Sequence, residues 1–156
     1  MYLIIDLKPG EKLLVGDAVI VNDDQRTRLH ISGSAPVMRE KDVMQEEKAD
    51  TPCKKIYFLV QCMYMARDPQ EYFDKYFMQI EEIQNAAPTT SLFFMKINDM
   101  VLEGSYYKAL KEVEELLEHE EELLVQVLQN SSDPLHSHGT PPPCTGAVSE
   151  QLALQE

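Results

Sequence analysis

Few side chains in this sequence are spaced for chemistry. Cys53 precedes Lys54 and Lys55 at the expected start of a helix, a setting that favours thiolate. No histidine lies near it in sequence to act as base, so a partly buried thiol is expected rather than a nucleophile. His136, His138 and Cys144 are metal-ligand types without a fourth partner, in text rich in proline and glycine. The run Glu118-His119-Glu120-Glu121-Glu122 puts its acids on consecutive residues, which a helix turns about 100° apart, so it reads as a solvated face. Gly10, Gly16 and Gly33 are too widely spaced to cradle a phosphate, and neither GxGxxG nor GxxxxGK occurs. No catalytic residue, metal or cofactor is expected.

What remains is a set of cations in the first third. Arg26 and Arg28 alternate along one strand face, Lys8 and Lys12 flank the first turn, and Arg39 and Lys41 follow the last apolar segment of that region. Arginine forms bidentate contacts with phosphate or a guanine edge that lysine does not. Overall charge restricts how such a set could act. Lys+Arg 14 against Asp+Glu 27 leaves a net charge of −13, whose field repels phosphate beyond contact range. The excess is uneven: residues 1–48 carry seven basic and nine acidic side chains, 49–130 seven and fifteen, and 131–156 none and three. A polyanion meets least repulsion at the N-terminal third.

The elements that must hold these residues can be read from turn and cap signals. Tyr2 to Leu7 is rich in strand formers and stops at Lys8-Pro9-Gly10; Lys12 to Val15 and Ala18 to Val21 flank Gly16-Asp17; Arg26 to Ile31 alternates polar and apolar; Val37-Met38-Arg39 is a short fifth segment. Thr51-Pro52 and Asp68-Pro69-Gln70-Glu71 mark two helix starts. Ile56, Leu59, Val60, Met63 and Tyr64 share a face of the first helix, and Tyr72, Phe73, Tyr76, Phe77, Ile80 and Ile83 make a broad aromatic face on the second. A third helix carries Leu92, Met95, Ile97, Met100 and Val101, and a longer fourth carries Tyr106, Leu110, Val113, Leu117 and Leu124. After Gln129, four prolines and two glycines within seventeen residues argue for disorder. The expected fold is α+β: a small N-terminal antiparallel five-strand sheet or partial barrel over 1–44, a bundle of about four helices over 45–129 packed as one unit with it, and a disordered tail over 130–156.

Three cysteines, an odd and sparse set, suit free thiols. The longest apolar run, Ile56 to Met65, is too short to span a bilayer, and the N-terminus lacks the basic region of a secretory signal. A cytoplasmic protein without membrane association is expected.

Several separated motifs, LKPGEKLLVGDAVIVNDDQRTRLHI, REKD, ADTPCKKIYFLVQCMYM and GSYYKALK, together resemble FlbT, the flagellum biosynthesis repressor family of alphaproteobacteria, over about residues 2 to 125. That resemblance implies a post-transcriptional role: association with the 5′ untranslated region of flagellin messenger RNA, lowering its translation and lifetime. Leu3 to Glu40 also looks like the small β module of the carbon storage regulator CsrA, whose RVGETLMIGDDV and HREE patterns are similar to PGEKLLVGDAV and MREKD here. In that family two chains interleave their strands, and RNA is held by the first strand of one beside the last of the other. Only Arg39 carries over onto the arginine of HREE, and Lys8-Pro9 stands where the family has paired arginines.

The expected RNA-binding residues are therefore Arg39, with Arg28, Arg26, Lys8 and Lys41, and the expected partner is the flagellin mRNA 5′ leader. The alternative is a protein-interaction adaptor in flagellar assembly, binding flagellin or another flagellar regulator through Leu117 and Leu124 on the last helix. A homodimer is compatible with either.

Overall fold

The computed structural model describes residues 2–131. Five strands come first: β1 (Tyr2–Leu7), β2 (Lys12–Val15), β3 (Ala18–Val21), β4 (Thr27–Ser32) and β5 (Val37–Arg39). They divide into two antiparallel sheets, β1 with β4 and β3-β2-β5. The five expected strands are thus present, as a pair of small sheets. The reason lies in the turns: Gly16 adopts the positive φ of 60° that a two-residue hairpin between β2 and β3 demands. The longer Asn22 to Arg26 connection instead carries the chain away from β3 to pair β4 with β1. Asn22 secures that departure, its side-chain amide donating to the carbonyls of Leu7, Lys8 and Gln25. Alternation then aims Ile5 and Leu7 from one sheet at Leu13 and Val37 from the other, with Val15, Leu29 and Ile31 around them.

Four α-helices follow: α1 (Pro52–Met65), α2 (Phe73–Ala86), α3 (Ser91–Leu102) and α4 (Tyr106–Ser131). Thr51 caps α1 as its sequence promised, accepting from Lys54 N–H at 3.3 Å, with Pro52 in the first turn. Asp68 caps a 3-10 turn, Pro69–Tyr72, so α2 begins only at Phe73. Ile56, Val60, Tyr76, Phe94, Ile97, Leu110, Val113 and Leu116 form the centre of the helical core, which also receives Met38 from β5. Burying an Ile or Phe side chain of this kind contributes roughly 2–3 kcal/mol.

Two faces differ from expectation. On α3 it is Phe94, Ile97 and Val101 that point inward, while Leu92 and Met95 are exposed. Phe94, Ile97 and Val101 stand at the i, i+3, i+7 spacing of one helix face, and Leu92 and Met95 are turned away from it. On α2 the aromatic face is split: Tyr76 is buried, whereas Phe77 reaches solvent.

Residues 1–120 cluster as one compact unit and a second begins at Glu121. Within the first, three side chains one turn apart on α1 fasten the connection from the sheets. The Tyr57 hydroxyl donates to the Asp42 carbonyl at 2.7 Å, and the Gln61 amide both accepts from Met44 N–H and donates to Met44 C=O. Tyr64 places its hydroxyl between the N–H and C=O of Val37. In the second, the final turns of α4 leave Leu124, Val125, Val127 and Leu128 exposed.

Candidate functional site

Four of the cations singled out by sequence, Arg26, Arg28, Arg39 and Lys41, gather around two carboxylates, Asp6 and Glu11. Asp6 and Arg28 are directly opposed across β1 and β4, and the guanidinium closes on the carboxylate through Nε at 2.8 Å and Nη2 at 3.4 Å. Its bond with Arg28 comes first in holding the Asp6 carboxyl below its ordinary value, and the neighbouring charges of Arg26 and Arg39 reinforce it. Both partners are well exposed, so this is a surface pair that solvent and salt weaken. Arg26 stands just before β4 and, with Asp6, Thr27 and Arg28, lines a shallow depression.

Glu11 is held more firmly. One carboxylate oxygen accepts the Lys8 main-chain N–H at 2.9 Å, as the turn through Pro9 and Gly10 brings these residues together. The other accepts from Arg39 Nη1 at 3.0 Å, and the same nitrogen donates to the Asp6 carbonyl at 3.2 Å. The Lys8 amide bond first, then Arg39 and the charge of Lys41, lower the Glu11 carboxyl from its ordinary value against a partial desolvation. Arg39 thus bridges the end of β5 to β1 and to the first turn with its side chain 31% exposed. Lys12 pairs with Glu40 at 3.4 Å beside it. Lys8, Arg26 and Lys41 are exposed and form no salt bridge among the described residues.

Arg26, Arg28, Arg39 and Lys41 therefore share one region of the β module, and Lys8 joins it through its main-chain N–H. Asp6 and Glu11, which complete it, escaped the sequence reading. The signal was there in part: Lys8 and Glu11 stand either side of a Pro-Gly turn, and a strand pairing that put Asp6 opposite Arg28 would have exposed the second pair.

The remaining candidates resolve differently. Leu117 packs against the helical core, whereas Leu124 is 50% exposed. Cys53 is buried, and its thiol is pushed up to about 12 by burial, then by the charge and hydrogen bond of Glu120. The lysines that follow it in sequence do not lower it, so the thiolate-favouring setting read from sequence is absent. Glu120 also accepts from the Thr51 hydroxyl at 2.7 Å and from Cys53 N–H at 3.2 Å, a structural role at the start of α1. Among the described residues no group of three His, Cys, Asp or Glu side chains is placed to hold a metal ion. His136, His138 and Cys144 lie outside the described residues. No described helix is long and apolar enough to cross a membrane.

The family model for flagellar protein FlbT matches residues 3–124. A Bradyrhizobium diazoefficiens protein named "Probable flagellum biosynthesis repressor protein FlbT 1" is 42% identical over 124 residues, covering 79% of this chain and 85% of the relative. The Rhodopseudomonas palustris protein of corresponding name is 43% identical over 80% of this chain and 98% of its own length. The flagellum biosynthesis repressor protein FlbT of Caulobacter vibrioides is 35% identical over 81% of this chain and 92% of its own. No solved structure matches. The matched span runs from β1 into α4, and on that evidence the chain belongs to the FlbT family of flagellar proteins.

Proposed function

We propose that this protein is a post-transcriptional repressor of flagellin synthesis, acting in the cytoplasm by binding the 5′ untranslated region of flagellin mRNA and lowering its translation and stability. The relatives are named repressors of flagellum biosynthesis, which supports the direction of control. The observation that carries the RNA reading is the convergence of Arg26, Arg28, Arg39 and Lys41 around Asp6 and Glu11, beside the turn that holds Lys8. Unpaired RNA exposes base edges and phosphates that an arginine fork on a β surface can grip. The acidic helices repel nucleic acid in bulk, which leaves affinity to a few local contacts. Self-association is part of the same proposal: Val19 and Val21 are exposed on β3, an edge strand of its sheet.

A reporter gene fused to a flagellin leader, read in cells with and without this protein, tests it. The reporter's output and message half-life are expected to fall with the protein present and to recover with Arg39→Ala. Equal repression of a reporter lacking the leader would contradict the proposal.

A second reading, an adaptor that binds flagellin or another flagellar regulator, is favoured by one observation: the exposed Leu124, Val127 and Leu128 at the end of α4. Leu124→Glu is expected to abolish capture of such a partner while leaving the thermal melt unchanged.

A further inference from the structure

Beside the arginine cluster, and wholly within residues 1–120, lies a cleft of about 420 Å³ between β1, β5, α1 and α4. That is the size of a small-ligand pocket, typically about 300–1,000 Å³. We infer that this cleft is a pocket for a single unpaired nucleotide of RNA, the base stacking on Tyr107 and the phosphate meeting Lys111; the inference rests on the RNA-binding reading. Ile5, Val37 and Met38 give the cleft an apolar base, and Arg39 stands among its lining residues, so the cleft is continuous with the candidate interface. Tyr57 and Tyr64 have their hydroxyls committed to main-chain groups. Tyr107 does not share that fixed role: the residue is 49% exposed, its ring centre 5.8 Å from that of Tyr64 and tilted 49° to it. An exposed tyrosine in a cleft is a stacking platform that accepts any base. The Lys111 ammonium lies over the face of that ring, 5.6 Å from its centre, and 3.1 Å from a Glu114 oxygen, so a stacking base takes the ammonium's place on the ring as the ammonium turns to the phosphate. Both members of the Lys111–Glu114 pair are about half exposed, so the ammonium exchanges partners at little cost.

The chemistry selects the occupant. Arg39 and Lys111 are balanced by Asp42 and Glu114 in the lining, so free phosphate gains no net attraction and a ligand must also bring a planar apolar group. An added β-strand fits poorly, because the Tyr64 hydroxyl already takes the Val37 N–H at 2.9 Å and its C=O at 3.2 Å on the outer edge of β5.

The test uses the full chain and a fluorescein-labelled single-stranded segment of a flagellin leader, with 2-aminopurine substituted at one position at a time. Binding is expected to quench 2-aminopurine at one position. Tyr107→Ala is expected to abolish that quench and to weaken binding at least about fivefold, the low end for losing one stacked base. Tyr107→Phe is expected to keep both, and unchanged thermal melts for the two variants exclude unfolding. Equal affinity and quenching for wild type and Tyr107→Ala would overturn the pocket and leave the RNA reading standing. Wild-type chain that binds no leader RNA would overturn both. Tyr107→Ala that changes the chain's solution mass without changing RNA affinity would assign the cleft to a second copy and overturn the pocket.

Discussion

Arg39 Nη1 and Glu11 Oε1 lie 3.0 Å apart, the arginine at the end of β5 and the glutamate in the turn before β2. The glutamate is not free to leave: Lys8 N–H holds its other oxygen at 2.9 Å. The Arg39 guanidinium is thus presented with a carboxylate already on one edge. Under the RNA-binding role proposed above, a phosphate or base must either share the fork or displace Glu11, which makes the affinity of this face a competition inside the protein.

That competition has a sign. Glu11→Gln keeps a hydrogen-bond acceptor and removes the charge, so leader affinity is expected to rise, by about two- to tenfold, or up to about 1.4 kcal/mol. Arg39→Ala is expected to weaken it by about 1–3 kcal/mol if the fork reaches a base. Filter binding at one fixed salt concentration gives the order; a loss of affinity in Glu11→Gln would show that the glutamate positions the arginine instead of competing for it.

Acid should loosen the β module first. Asp6 and Glu11 both titrate below their ordinary values of 3.8 and 4.5 in the folded chain, through Arg28 and through the Lys8 amide respectively. A depressed folded value means that the stabilisation is complete above the ordinary value and disappears as pH falls through the lowered one. Urea unfolding followed from pH 6 downward should show stability flat at first, then declining below about pH 4.5, and Asp6→Asn should remove part of that decline. An identical pH profile for the variant would separate the pair from acid stability.

Cys53 should be chemically quiet. Its burial, followed by the charge and hydrogen bond of Glu120, pushes the thiol up to about 12, so almost no thiolate exists near neutrality. Cys62 is half-buried and also raised, mainly by burial. Iodoacetamide at pH 8 is expected to spare Cys53 in the folded chain and modify it in urea, as mass spectrometry of the peptides would show. Rapid native labelling of Cys53 would contradict the packing at the start of α1.

The same corner predicts a stability effect. Glu120→Ala leaves the Thr51 hydroxyl and the Cys53 N–H without their carboxylate. A loss of about 1–2 kcal/mol is expected, with Thr51→Ala near 1 kcal/mol. Because the two share one contact, the double variant should lose less than the sum of the singles in denaturant melts.

The fold was largely legible because its punctuation is local. Lys8-Pro9-Gly10, Gly16-Asp17 and Thr51-Pro52 each act within a few residues: β1 ends before the first, the second joins β2 to β3, and α1 begins at the third. What sequence could not supply was phase and partnership at long range. Phe94 rather than Met95 faces the core because Phe94 shares the i, i+3, i+7 face with Ile97 and Val101, a stripe that the other apolar residues of α3, Leu92, Met95 and Met100, obscure. Arg28 and Arg39 read as free cations until chain pairing brought Asp6 and Glu11 to them across 22 and 28 residues. The Tyr107 cleft needed four elements to assemble before its residues were neighbours.

The central claim is that the leader RNA binds this protein directly, through few contacts. Titrating purified full-length chain with a flagellin leader RNA over a range of salt concentrations measures it. Saturable binding is expected whose log affinity falls with log salt at a slope equivalent to about three released counterions or fewer. No binding at low salt, or a steep slope shared by unrelated RNAs, would contradict the account.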